Sequence, residues 1–137
     1  MTRRAVADRM ALCCRQLAER GLMAGQDGNL AVRLGPDRVL VTPTGVIKAL
    51  VRPADMVEVD LGGRKRRGRH NPTSELDLHL RILTRRPDVG AVVHAHPRWR
   101  PVWRSRAKTC IYWSYLSLSC SVGRCPSCPM GRPGRRS

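Results

Sequence analysis

Two histidines one residue apart could hold a metal ion. His94 and His96 stand in the segment VVHAHP, at the end of an apolar run. Because side chains of a β-strand alternate between its two faces, both imidazoles should point the same way. Imidazole nitrogen is a common ligand of zinc. An H-x-H at a strand end is also typical of one packed and one solvated histidine, so the pair alone does not define a site.

An acidic residue precedes this strand. The segment TSELDLHLRILTRR predicts a helix in which Glu75 lies in the first turn. A helix–loop–strand hairpin can then bring its carboxylate close to the two imidazoles. The alternative is that Glu75 only complements the helix dipole. We predict Ser74 as the N-cap of this helix and a helix end at Arg86, ahead of Pro87.

Three loops combine small polar residues with residues that favour turns. They are DGN, TPTG and PTSE, at 27–29, 42–45 and 72–75. Glycines let backbone N–H groups approach a phosphate, and a helix N-terminus adds a partial positive charge. Each loop alone is a weak signal, because most loops contain such residues. Three of them beside an acid and an H-x-H favour an anion-binding site.

The elements that would position these residues are short helices and strands. One predicted helix, which Gly21 ends, has an apolar face formed by Val6, Met10, Cys13 and Leu17. Alternating apolar residues predict strands at 28–34, 38–42 and 56–61. The apolar run VGAVVH, at 89–94, predicts a strand buried on both faces. This order predicts a layered α/β domain with a largely antiparallel sheet.

The composition changes abruptly after Pro97. The chain has 137 residues and a formal net charge of +16, yet no acidic residue follows Pro97. We predict that residues 1–97 form the folded part. The basic Trp/Cys/Arg-rich tail, residues 98–137, is predicted to be disordered or non-native, as in a frameshifted or truncated sequence.

The charge and hydropathy patterns also bear on partners and location. The basic run GGRKRRGR is predicted to be a solvated hairpin tip rather than a nucleic-acid patch, because no aromatic residue accompanies it. Nucleic acid is therefore not the expected partner, and its binding by the basic tail, residues 98–137, is kept as a third alternative function. No secretory signal and no apolar run long enough for a membrane span is visible, which favours a cytoplasmic protein.

The sequence from about Cys14 to Pro97 resembles the class II aldolase/adducin family. The segments that carry the resemblance are GNLAVR, VLVTPTG, DMVEVDLGG and PTSELDLHLRILTRRPDVGAVVHAHP. The resemblance implies a layered α-β-α fold with a largely antiparallel central sheet, incomplete at the C-terminus. It also implies a metal-dependent lyase that cleaves a phosphorylated ketose, with L-fuculose 1-phosphate as the leading expectation. Intact family members are expected to be homotetramers.

The resemblance further implies the residues of the site. One Zn²⁺ per subunit would be held by His94 and His96 together with Glu75, which would also be the catalytic acid/base. The positions expected to bind or shape the substrate phosphate site are Gly28, Asn29, Thr44, Gly45, Thr73 and Ser74. His79 is interpreted as helix packing rather than a ligand.

A third histidine ligand, expected in the C-terminal half of the family, is missing from this chain, so we expect the truncated chain to bind zinc weakly and to be weakly active or inactive. The sequence contains four histidines and none follows His96. His70 is a weaker substitute. The tail motif C-x-x-C, Cys125 to Cys128, could instead form a small structural zinc module, but its irregular spacing argues against that.

The proposed chemistry suits these residue types apart from any resemblance. Carbon–carbon cleavage beside a ketone leaves an enediolate, whose charge a divalent metal can accept while a carboxylate moves the proton. A lysine Schiff base is the rival solution, and Lys48 is its only contender. The alternative functions are a sugar-phosphate 4-epimerase and a non-catalytic adducin-like interaction module.

Overall fold

A computed structural model describes residues 2–96 and, for the backbone alone, residues 109–114. These residues form two α-helices, two short 3₁₀ helices (Lys48–Leu50 and Pro53–Asp55) and a six-stranded sheet. In chain order the elements are α1 (Arg3–Glu19), β1 (Asn29–Gly35), β2 (Arg38–Val41), β3 (Val57–Val59), β4 (Lys65–Arg67), α2 (Leu76–Arg85), β5 (Val89–Ala95) and β6 (Thr109–Ser114).

The sheet has the order β4-β3-β2-β1-β5-β6, and every neighbouring pair is antiparallel. One apolar cluster joins α1 to Leu30, Leu40 and Val93. A second cluster joins α2 to the other face of the same strands, which includes Ala31 and Val92. Because successive strand residues face opposite ways, the two helices cover opposite faces of the sheet. The predicted α-β-α layering and antiparallel sheet are confirmed.

The predicted end of α1 is also confirmed. Gly21 adopts a φ of +69°, a left-handed conformation that glycine takes without strain. Its N–H donates to the carbonyl of Ala18 at 3.0 Å, and the N–H of Leu22 donates to that of Leu17 at 2.9 Å. This pair of hydrogen bonds satisfies two of the last helical carbonyls. The apolar face is slightly rotated from the prediction, because Cys14 is fully buried whereas Cys13 is only partly buried.

The prediction of Ser74 as the N-cap of α2 is wrong. The helix begins at Leu76, and Glu75 occupies the N-cap position without a side-chain cap. A turn closed by Thr73 takes the place of the cap: its carbonyl accepts from the N–H of Leu76 at 3.2 Å, and its hydroxyl oxygen accepts from the N–H of Glu75 at 3.4 Å. The predicted end of α2 at Arg86 is confirmed.

The basic run differs in part from the predicted hairpin tip. Lys65–Arg67 form β4, an exposed edge strand, and the turn lies before it, where the N–H of Gly63 donates to the carbonyl of Asp60 at 3.0 Å. Arg66 pairs with Asp60 at 2.9 Å. Charged side chains on an edge strand hinder pairing with other chains.

Within the described residues, no helix is long and apolar enough to cross a bilayer. Most of the tail, including Cys125 and Cys128, lies outside the described residues, and β6 is the part of it whose backbone is described.

Candidate metal centre and phosphate loops

The structure brings Glu75, His94 and His96 together. One ligand atom from each side chain lies within 4.8 Å of the others. The Oε2 atom of Glu75 contacts Nδ1 of His94. The two imidazole rings have centroids 4.5 Å apart, as the one-residue spacing on a strand predicts.

Strand β1 and the segment after α1 hold the end of β5, at which the two histidines lie. His94 is fully buried in β5 and lies opposite Asn29 of β1. The backbone N–H of His96 donates to the carbonyl of Leu22 at 2.9 Å, which ties the end of β5 to the segment after α1. Glu75 comes from the N-cap of α2, and its side chain is 24 % exposed. The group therefore combines a buried imidazole with an acid that solvent and ligands can reach.

Asn29 connects this group to a second buried histidine. Its Nδ2 donates to Oε2 of Glu75 at 2.9 Å, and its Oδ1 contacts Nε2 of His79. Burial, with a smaller contribution from the nearby His94, lowers the pKa of His79 to about 4. His79 is therefore neutral at pH 7. The sequence interpretation of His79 as helix packing missed this link, although its spacing from Glu75 places both residues on one face of α2.

Hydrogen bonds join the three loops that the sequence predicts to bind an anion, residues 27–29, 42–45 and 72–75. The N–H of Thr44 donates to the carbonyl of Asn71 at 3.1 Å, and the N–H of Thr73 donates to that of Thr42 at 3.0 Å. The hydroxyl oxygen of Thr42 in turn accepts from the N–H of Leu30, directly after the first loop, at 3.1 Å.

The predicted phosphate residues in these loops differ in exposure. Thr44, Gly45 and Ser74 are exposed, whereas Thr73 is buried. The exposed three are therefore the ones that a ligand can reach without a rearrangement, and Thr73 acts on the shape of its loop.

Gly28 fills a position where no side chain fits. Its φ is +78°, and a Cβ atom there would lie 2.7 Å from Cγ of Met23 and 3.0 Å from the carbonyl oxygen of His94. Only glycine at this position lets the loop pass so close to the backbone of the metal-ligand candidate His94. Gly45 also has a positive φ, +71°, but nothing lies within 4 Å of the corresponding Cβ position.

Lys48 is buried beneath two of the loops. Its Nζ donates to the carbonyls of Gln26 and Val46, both at 3.0 Å, and to that of Pro43 at 3.4 Å. Burial lowers its pKa. Three acceptors match the three hydrogens of an ammonium group. This arrangement fits a cation that joins the loops rather than a free amine nucleophile.

His70 lies in a different cluster from Glu75, His94 and His96. Its Nε2 is 3.3 Å from Oδ1 of Asp55, a buried carboxylate that also pairs with Arg52 and Arg69. Burial alone would raise the pKa of Asp55, but the hydrogen bonds with Arg52 and His70 and the charge of Arg52 lower it to about 2. His70 is thus part of a structural ion-pair cluster.

The donor set at Glu75, His94 and His96 suits Zn²⁺. One carboxylate oxygen and two imidazole nitrogens are ligands that zinc takes in catalytic sites, where three protein ligands leave a position for substrate. The residues present therefore fit the metal that the sequence predicts.

Comparison with known proteins identifies the family. Residues 8–136 match the family described as Class II Aldolase and Adducin N-terminal domain. The chain belongs to this family, and the resemblance seen in the sequence is confirmed. Since the match extends beyond Pro97, the boundary between 1–97 and 98–137 stays a prediction.

Individual relatives carry names of sugar-phosphate enzymes. The 5-methylthioribulose-1-phosphate/5-deoxyribulose-1-phosphate aldolase of Rhodospirillum rubrum is 50 % identical over 82 residues, which are 60 % of this chain and 36 % of the relative. The L-fuculose phosphate aldolase of Methanocaldococcus jannaschii is 41 % identical over 83 residues, 61 % of this chain and 44 % of the relative.

A solved structure supports the fold. YgbL from Klebsiella pneumoniae, a candidate aldolase/epimerase/decarboxylase, aligns with a TM-score of 0.68 and 28 % identity over 72 % of this chain and 47 % of its own. The chain thus spans less than half the length of these relatives.

Proposed function

We propose that this chain carries the metal-binding and phosphate-binding part of a zinc-dependent class II aldolase, which cleaves a phosphorylated ketose by retro-aldol chemistry. The observation that carries the proposal is the convergence of Glu75, His94 and His96 within 4.8 Å. The proposed substrate is L-fuculose 1-phosphate, which would yield dihydroxyacetone phosphate and lactaldehyde.

The reaction requires two proton transfers that balance. The hydroxyl on the aldehyde-side carbon loses a proton, the carbon–carbon bond breaks, and the ketone-side carbon gains a proton. The electron pair of the broken bond passes to the ketone-side fragment as an enediolate. A bound divalent metal would supply a Lewis acid for its oxygens.

The residues of this chain would bind the phosphate, orient the ketose and protonate the ketone-side carbon. Glu75 would exchange a proton with the ketone-side carbon through Oε2, the atom that Asn29 holds by a 2.9 Å hydrogen bond. The hydroxyl groups of Thr44 and Ser74 and the N–H group of Gly45 would bind the phosphate, since all three residues are exposed. Because Ser74 directly precedes Glu75 in the chain, a phosphate held by these loops would fix the ketose in one orientation relative to this carboxylate.

The test is release of dihydroxyacetone phosphate by the purified full chain with Zn²⁺. The substrates are L-fuculose 1-phosphate, 5-methylthioribulose 1-phosphate and 5-deoxyribulose 1-phosphate, which give this product in common. Glu75→Gln should lower kcat by about 100-fold or more. The control Asp77→Asn removes an exposed acid of the same helix and should leave kcat unchanged. Absence of product from the wild-type chain, or product that survives both Glu75→Gln and a chelator, would overturn the proposal.

The same assay separates the alternative functions. A 4-epimerase would convert a ketose phosphate to its epimer without releasing dihydroxyacetone phosphate. The description of YgbL as a candidate aldolase/epimerase/decarboxylase supports testing this activity. An adducin-like interaction module would show no turnover. The homotetramer expected for intact family members is tested by light scattering of the same sample.

A further inference from the structure

The side-chain amide of Asn29 is engaged at both ends inside the protein. It is 6 % exposed, its Nδ2 donates to Oε2 of Glu75 at 2.9 Å, and its Oδ1 contacts Nε2 of His79. An amide oxygen only accepts hydrogen bonds, so Nε2 of His79 must carry a proton and donate it. The contact therefore specifies one tautomer of a neutral imidazole.

The opposite tautomer would disrupt the arrangement. If the proton of His79 were on Nδ1, Nε2 would become an acceptor, and the amide of Asn29 would have to turn its NH₂ group toward it. The amide oxygen would then face the carboxylate of Glu75, with two acceptors in contact. Since both Asn29 and His79 are buried, water cannot readily relieve such a contact.

The remaining features of His79 agree with this assignment. The ring is fully buried, and its Nδ1 has no hydrogen-bond partner among the described residues, as an unprotonated nitrogen tolerates better than an N–H group. The low pKa of His79, about 4, keeps the ring neutral at pH 7. A protonated ring would instead add a buried positive charge beside His94.

We propose that His79 is a positioning residue: the Nε2–H of its neutral ring holds Oδ1 of Asn29 and thereby aims Nδ2 of Asn29 at the carboxylate of Glu75. The inference rests on the proposed function insofar as Glu75 is the acid/base. Nδ2 carries a second hydrogen, so the same amide can also donate to an anionic ligand. His79 itself touches neither metal nor substrate.

The first test needs no turnover. Long-range ¹H–¹⁵N NMR of the metal-free full chain at pH 7 should show His79 protonated on Nε2 and unprotonated on Nδ1. Finding the Nδ1–H tautomer would overturn the inference whatever the activity of the chain.

The second test uses matched variants. His79→Leu removes the donor, and the Nδ2 protons of Asn29 should exchange with solvent about tenfold faster than in the wild type. His79→Gln supplies an amide donor at the same place and should restore slow exchange. Leu83→Ala shortens a fully buried residue of the same helix and controls for general loosening. Equal exchange in His79→Leu and the wild type would contradict the inference.

Kinetics provide the last readout. We expect His79→Leu to lower kcat about 10-fold with little change in KM, and His79→Gln to recover most of the loss, as for groups that orient a reactive residue. If NMR shows the expected tautomer and exchange but the chain has no lyase activity, the proposed function fails and the positioning contact stands. Activity without rescue by His79→Gln would count against the positioning role.

Discussion

The carboxylate of Glu75 contacts Nδ1 of His94, although one residue precedes α2 and the other lies near the end of β5. The helix and the strand thus form a single unit of the site. Because Asn29 of β1 also donates to Glu75, three elements meet at one carboxylate oxygen. A substitution of Asn29 or His94 should therefore change the position of Oε2 of Glu75.

Zinc binding should depend on His94 and not on His70. We expect His94→Ala to lower the affinity for Zn²⁺, or for Co²⁺ as a spectroscopic probe, by about 100-fold or more, because two protein ligands are too few for a tight site. Isothermal titration calorimetry measures this change in affinity.

His70→Ala provides the matched control, because His70 pairs with Asp55 in a separate cluster. Its affinity for zinc should equal that of the wild type. Tight one-to-one zinc binding that survives His94→Ala would show that the ligands are wrongly assigned.

Gly28 should be the least replaceable glycine near the site. Gly28→Ala places a Cβ 2.7 Å from Met23 and 3.0 Å from the His94 carbonyl on a backbone with φ +78°. We expect the free energy of unfolding to fall by about 2–3 kcal/mol, from steric overlap added to the cost of positive φ. Urea denaturation measures it.

Gly25→Ala separates the two contributions. Gly25 has a φ of +56° but open space around the Cβ position, so this variant should lose only about 1 kcal/mol. Equal losses in the two variants would mean that crowding at Gly28 is unimportant.

The sequence was informative where periodicity and special residues act locally. Strands β1, β2, β3 and β5 follow from spacing, as do the glycine end of α1 and the approach of His94 to His96. The spacing did not indicate β4, in the basic run, or β6, in the tail. The N-cap of α2 was missed, because the carbonyl of Thr73 competes with the side chain of Ser74 for the first helical N–H groups. The bond between Asn29 and His79 joins residues far apart in the chain, and no local pattern encodes such a contact.

Lys48 should stabilise the phosphate loops without reacting. Lys48→Met leaves the carbonyls of Gln26, Pro43 and Val46 without their shared donor. We expect the free energy of unfolding to fall by about 2–3 kcal/mol. If the chain cleaves a ketose phosphate, KM should rise more than kcat falls, since the loops bind the phosphate.

The comparison for this variant is Lys65→Met, which removes an exposed lysine of β4 that contacts a single carbonyl. It should change the free energy of unfolding by less than about 0.5 kcal/mol. Trapping of a Schiff base with borohydride on Lys48 would contradict the structural role.

The stability of the metal-free chain should fall in mild acid because of His79. Its pKa in the folded protein, about 4, lies below the value of 6.5 for an unperturbed histidine, so the unfolded chain takes up a proton at higher pH than the folded one. Stability from this group is complete above pH 6.5 and is lost as the pH falls from 6.5 toward 4, by about 3 kcal/mol at most. Urea denaturation at pH 7.0 and 5.0 should show a smaller decrease for His79→Gln, which has no proton to gain. The same decrease in both proteins would mean that His79 is not held neutral in the fold.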